Sequence, residues 1–145
     1  MKSGFSLVEM CMALGIATFA IIAMFSLLPV SLSSARDAVQ ETEAMNVLQE
    51  IIADRAATPA GAVSSLYGLP AFSSANTATV TNAFGVQDDY QHNTDFNKSR
   101  WRVTYVTYPL QTPEAPFQTH IRVSWPAADT NMVNSVESVA TFPQP

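Results

Sequence analysis

The chain has 145 residues, of which 48% are hydrophobic and only 13% are charged, and its formal net charge is −5. Soluble domains usually carry about 25% charged residues, and a chain of this length fits one small domain. The acidic balance disfavours nucleic acid as a partner. The single cysteine excludes an intrachain disulfide and a zinc site made of several thiolates.

The N-terminal region is strongly apolar, and 22 of the 31 residues in the range 5–35 are hydrophobic. No residue from Met10 to Leu28 is charged, and these 19 residues would span roughly 28 Å as a helix, close to the bilayer core of about 30 Å. We therefore predict a membrane-spanning helix. It has three possible explanations: a secretory signal cleaved after Ser33-Ser34-Ala35, a retained signal anchor, or a segment cut before the apolar run.

Glu9 distinguishes these explanations, because it is the only charged residue between Lys2 and Arg36. A carboxylate costs on the order of 2–3 kcal/mol at the centre of a spanning helix and less near its end. Neither a signal peptide nor a plain anchor has a use for it, so Glu9 favours the third explanation.

The residues Gly4-Phe5-Ser6-Leu7-Val8-Glu9 resemble the prepilin cleavage and methylation motif of type IV pilins and type II secretion pseudopilins. The resemblance implies a leader at 1–4, cleavage by prepilin peptidase between Gly4 and Phe5, N-methylation of Phe5 and retention of Glu9. In a bundle of subunits, Glu9 is expected to meet the Phe5 amine of a neighbour and to set the axial register. The alternative places Glu9 at the headgroup interface, without a partner subunit.

The helical pattern continues beyond the apolar run and is predicted to end near Ala57, before Thr58-Pro59-Ala60-Gly61. This divides the helix into a membrane and assembly half at 5–30 and an amphipathic half at 31–57. Pro29 indicates either a kink in one helix or a break between two. The stripe predicted to face a core has apolar residues three and four positions apart: Ala35, Ala38, Val39, Thr42, Met45, Leu48, Ile52 and Ala56.

Residues 58–100 are rich in small and polar residues and are predicted to form a loop-rich segment with one weak strand near 79–86. Residues 101–145 are predicted to be an antiparallel β head, since apolar and polar residues alternate over much of this segment. The resulting fold class is α+β and pilin-like, with the long helix packed on a three- to four-stranded antiparallel sheet. The predicted strands of the head are Trp101–Tyr108, Thr119–Trp125 and Ser135–Phe142.

A polar stretch within the loop-rich segment offers weak calcium candidates in Asn93, Asp95 and Asn97. Their alternating spacing resembles the opening of a calcium loop. The pattern then fails, because Lys98 replaces the turn glycine and Thr104 stands where the bidentate glutamate belongs. A polar surface loop is the preferred interpretation, and no cofactor is expected.

The acidic residues of the second half of the helix are read as a solvated face, since no histidine, nucleophile or metal ligand accompanies them: Glu41, Glu43, Glu50 and Asp54. His92 and His120 are likewise expected to face solvent. The sequence therefore predicts no enzymatic activity.

The expected protein is a structural filament subunit, anchored in the inner membrane with a cytoplasmic N-terminus and a periplasmic head. Its expected partners are other pilin or pseudopilin subunits and the prepilin peptidase and methyltransferase. The short, loop-rich head favours a minor or accessory subunit, while pilus, secretion and DNA-uptake systems stay open. The alternatives are a membrane-tethered extracytoplasmic ligand-binding module and an exported soluble protein cleaved after Ala35.

Overall fold

A computed structural model describes residues 6–73, 78–110, 112, 114–132 and 134–143. It contains one long helix followed by five strands, so the α+β class is confirmed. The elements are α1 (Leu7–Ala57), β1 (Val80–Val86), β2 (His92–Asn93), β3 (Trp101–Thr107), β4 (Phe117–Trp125) and β5 (Asn134–Phe142).

The helix α1 runs without interruption through Pro29 and ends at Ala57, as the turn residues after it predict. The interpretation of two separate helices is therefore wrong. The chain divides into two compact units, one up to Gln40 and one from Glu41 onward. The second unit is called the head below; it contains the end of α1 and all five strands.

The sheet of the head is antiparallel throughout, with strand order β2-β1-β3-β4-β5. The prediction of three to four strands is too low, because β2 is only two residues long and leaves no periodic signal. Strand β1 falls within the predicted range 79–86 and extends the sheet into the segment predicted to be loop-rich. A cis peptide bond joins Trp125 to Pro126 where β4 ends.

One face of the sheet is covered by the end of α1 and by the loop that follows it. The sheet residues on this face include Phe84, Tyr105 and Ile121, each at most 1% exposed. Tyr67 and Leu69 come from the loop and are equally buried. The helix residues in the same cluster are Ala44, Val47, Leu48 and Ile51.

The stripe predicted for α1 is mostly wrong. Of its members only Leu48 is buried and Ile52 is partly buried, whereas Val39 and Met45 are 55% and 45% exposed. Apolar residues occur on several sides of this helix, so spacing alone did not select the packed side. The buried face also includes two charged residues, Asp54 and Arg55.

Asp54 and Arg55 fasten the loop 58–73 to the end of α1. Arg55 is 1% exposed, and its guanidinium donates four hydrogen bonds of 2.8–3.1 Å to the carbonyls of Thr58, Pro59, Ala62 and Pro70. The Asp54 carboxylate accepts hydrogen bonds from the backbone N–H groups of Leu66 and Tyr67 at 3.3 and 3.2 Å. The prediction that Asp54 lies on a solvated face is therefore wrong, because backbone donors replace its water.

Candidate functional site

The start of α1 is closed by a reciprocal pair of hydrogen bonds between Ser6 and the first helical turn. The Val8 backbone N–H donates to Ser6 Oγ at 3.3 Å, and the Ser6 backbone N–H donates to Glu9 Oε2 at 3.2 Å. This is a capping box, which satisfies N–H groups that have no partner within the helix. The S-x-x-E spacing of residues 6–9 is the sequence signature of a capping box, although it was not among the predictions above.

Glu9 is solvent-exposed, and the capping box uses only one of its two carboxylate oxygens, Oε2. Its Oε1 atom accepts no hydrogen bond within the described part of the chain. The carboxylate also stabilises the positive end of the helix dipole. Gly4 and Phe5, predicted to flank the cleavage site, lie outside the described residues.

The first part of α1 is apolar on all sides. An 18-residue window of this helix has a mean hydropathy of 2.3, and none of that window is buried. A helix that is hydrophobic all round needs apolar surroundings all round, whereas one packed on a soluble domain needs only a stripe. Large hydrophobic residues 50–82% exposed here are Leu7, Val8, Met10, Met12, Leu14, Ile16, Phe19, Ile21, Ile22, Met24, Phe25, Leu27, Leu28, Val30 and Leu32.

By length and composition, α1 is able to cross a membrane. It is the single helix of this kind among the described residues. The small residues Ser33, Ser34 and Ala35, at which a secretory signal would be cut, lie inside this helix and are exposed.

In the polar loop around β2, the side chains of two calcium candidates accept hydrogen bonds from backbone N–H groups. Asn93 Oδ1 accepts a hydrogen bond from the Asp95 backbone N–H at 2.9 Å, and Asp95 Oδ1 accepts one from the Asn97 N–H at 3.0 Å. These are two successive Asx turns. Across the described ranges, no group of three or more His, Cys, Asp or Glu residues is placed to hold a metal ion.

Two of the acidic residues predicted to form a solvated face, Glu43 and Glu50, lie close to other side chains of the head, whereas Glu41 is exposed. Glu43 pairs with Arg100, which also reaches Asp88 at 3.2 Å. Burial, together with the neighbouring Glu50 carboxylate, raises the pKa of the Tyr67 phenol above its ordinary value. These contacts join α1 to the loop after it and to the residue before β3, which is a structural role.

The other face of the sheet carries a polar cluster on β4 and β5. The Glu137 carboxylate lies 2.6 Å from Arg122 Nε and 3.0 Å from His120 Nε2. The hydrogen bond from Arg122, followed by that from His120, holds the pKa of Glu137 below its ordinary value. His120 therefore has a carboxylate partner, although the sequence predicted it only to face solvent, while His92 is exposed as predicted.

We compared the chain with protein-family models, with curated proteins and with solved structures, and nothing matched.

Proposed function

We propose that this chain is a structural subunit of a type IV pilus-like or type II secretion pseudopilus filament, in a minor or accessory position. The observation that carries the proposal is α1, whose first part is exposed and apolar on every side and has a single carboxylate in its first turn. The motif at residues 4–9 supports it, because it places a peptidase site directly before that helix.

In this proposal the apolar part of α1 first lies in the inner membrane and then packs among the same helices of other subunits. Both surroundings are apolar on all sides, as the exposed side chains of this helix require. The leader faces the cytoplasm and the head faces the periplasm. The protein binds no cofactor and has no catalytic residues; it is a substrate of the prepilin peptidase and methyltransferase.

In this proposal Glu9 both caps its own helix and pairs with a neighbouring subunit, and each role uses one of its two carboxylate oxygens. Oε2 caps its own helix through Ser6, while Oε1 is left for the methylated Phe5 amine of a neighbouring subunit. A carboxylate and an amine that are each costly in lipid compensate one another when paired. The pair forms at one axial offset only, so it also sets the register of the subunits.

Two matched variants separate the pairing from the capping. Glu9→Gln keeps an amide oxygen that can cap the helix but removes the charge. Ser6→Ala removes the hydroxyl cap but keeps the carboxylate. In cells with the assembly machinery, we expect Glu9→Gln to stay in the membrane and to be lost from sheared filaments, and Ser6→Ala to assemble. Filaments containing Glu9→Gln at the wild-type level would exclude the charge pair.

The second candidate is an exported soluble head cut after Ala35, and one observation favours it. The helix residues buried in the head begin at Ala44, so such a cut would leave the packed core complete. The mass of the mature chain distinguishes this form from the filament subunit.

A further inference from the structure

Strand β5 forms one edge of the sheet in the described part of the chain, and it lacks most of the usual protections of an edge. It pairs with β4 over nine residues without a bulge, from Phe117 opposite Phe142 to Trp125 opposite Asn134. Edge strands are normally shortened, bulged, or marked with lysine or proline, because their free backbone groups recruit other strands. The β5 sequence NSVESVATF contains no lysine, proline or glycine.

The backbone groups that point away from the sheet follow from the register. The Tyr108 N–H donates to the Gln118 carbonyl. The backbone N–H and C=O groups of Gln118, and of every second β4 residue after it, therefore point toward β3. The intervening β4 residues therefore bond β5, and alternate β5 residues direct both N–H and C=O outward. Among the residues that the structure describes, no strand lies on that side of β5. The outward residues are Ser135, Glu137, Val139 and Thr141.

The single charge of β5 does not guard this edge. Glu137 is occupied by Arg122 and His120 of the adjacent strand, at 2.6 and 3.0 Å. Its neighbour on the same face, Val139, is 63% exposed. The edge therefore presents free hydrogen-bonding groups, a neutralised carboxylate and an exposed aliphatic side chain.

We propose that β5 pairs with β5 of a second copy of this chain, antiparallel, with Ser138 on the two-fold axis. In this register all nine residues pair without an overhang, Ser135 faces Thr141 and Glu137 faces Val139. Ser135 thus faces the similar Thr141, and Val136 faces the similar Ala140, so the strand can contact a second copy of itself about a two-fold axis.

The pairing concerns the head alone and stands whether or not α1 assembles a filament. It is tested by disulfide trapping of the full chain in detergent micelles, in a Cys11→Ala background so that the introduced thiol is the only one. Ser138→Cys meets itself at a non-hydrogen-bonded position with Cα atoms about 4.5 Å apart, which suits a disulfide. We expect this variant to form a covalent dimer on mild oxidation.

The register has its own control. Ser135 faces Thr141, so two copies of Ser135→Cys would hold their thiols about 20 Å apart and stay monomeric. A mixture of Ser135→Cys and Thr141→Cys chains is expected to form the mixed dimer. Equal dimer yields from Ser135→Cys alone and Ser138→Cys alone, or no dimer from Ser138→Cys, would overturn the proposal.

A second pair of variants distinguishes edge pairing from face packing. Val139 and Val106 lie in one row across the sheet, each opposite His120 on β4. In the Ser138→Cys chain, Val139→Lys is expected to abolish the dimer, because a lysine at the edge blocks strand addition, and Val106→Lys to leave it. Tryptophan emission shows that both heads are folded. If Val106→Lys abolished the dimer and Val139→Lys did not, the contact would be a packing of sheet faces, and the edge pairing would be refuted.

Discussion

Replacing Arg55 by methionine is expected to destabilise the head strongly. Methionine keeps much of the apolar stem but removes the guanidinium. The variant therefore loses all four hydrogen bonds to the carbonyls of the loop 58–73 and the contact with the Phe72 ring, whose centroid is 4.8 Å from the guanidinium carbon. A hydrogen bond to a charged group contributes about 1.5–3 kcal/mol. Four of them overstate the effect, because burying the guanidinium costs several kcal/mol in desolvation.

The net expectation is a loss of about 3 kcal/mol in the free energy of unfolding, because the loop carbonyls are also left without donors and a buried unsatisfied group costs about 1–3 kcal/mol. Arg100→Met is the matched control. Its side chain is 37% exposed and pairs with Glu43 and Asp88, so its removal should cost less than about 1 kcal/mol.

Urea unfolding of the full chain in detergent micelles measures both values. Trp101 and Trp125 both lie in the head, with ring centroids 5.5 Å apart, so their fluorescence reports its unfolding. The transition midpoints are comparable where the slope with denaturant is unchanged. If Arg55→Met and Arg100→Met lowered the free energy of unfolding by the same small amount, the four hydrogen bonds from Arg55 to the loop carbonyls would not be what holds the loop to the helix.

Three further outcomes are expected. Gly85→Ala would place a Cβ 2.0 Å from Ser99 Oγ and 2.5 Å from Ser99 Cβ, so we expect thermal unfolding to show a loss of about 1–3 kcal/mol in the free energy of unfolding. Adding Ser99→Gly should restore part of this stability, and a double variant without any recovery would show that the clash with Ser99 is not the cause. Because Arg122 lowers the pKa of Glu137, the ion pair stabilises the head at pH values above the pKa of this carboxyl in the unfolded chain, and the stabilisation is lost as the pH falls through the lower pKa of the folded chain. Glu137→Gln should remove this part of the acid sensitivity, roughly 0.2–1 kcal/mol for an exposed pair. Acid unfolding that is the same in Glu137→Gln and in the wild type would contradict the expectation. Calcium should leave the melting temperature unchanged, and a rise abolished by Asp95→Ala would establish a site.

The long helix was predictable because its signals are strong and local. An uncharged run of this length has few alternatives, and Thr58-Pro59 at its end cannot easily continue a helix. Strands β3, β4 and β5 were predictable since apolar and polar residues alternate over much of their length. The two-residue strand β2 was not, because it exists only through its pairing with Gly85 and Val86.

The packed side of α1 escaped prediction for a different reason. Asp54 was predicted to be solvated, and no pattern in the sequence marked Arg55 as buried. Both are buried because backbone N–H groups and carbonyls of the loop after α1 form hydrogen bonds with them. Such partners belong to the loop conformation, which composition does not specify. The capping box at the N-terminus is the opposite case, because residues 6–9 carry its S-x-x-E signature and it could have been predicted from the sequence alone.

The intact mass of the chain, recovered from membranes of cells that contain a prepilin peptidase, tests the proposed function most directly. A filament subunit is expected to give a mature chain that begins at N-methylated Phe5 and retains all of α1. A Gly4→Val variant, in which the cleavage site is blocked, should keep residues 1–4 and serve as the control. A chain that begins at Arg36, or one that keeps its first four residues in the presence of an active peptidase, would contradict the assignment as a filament subunit.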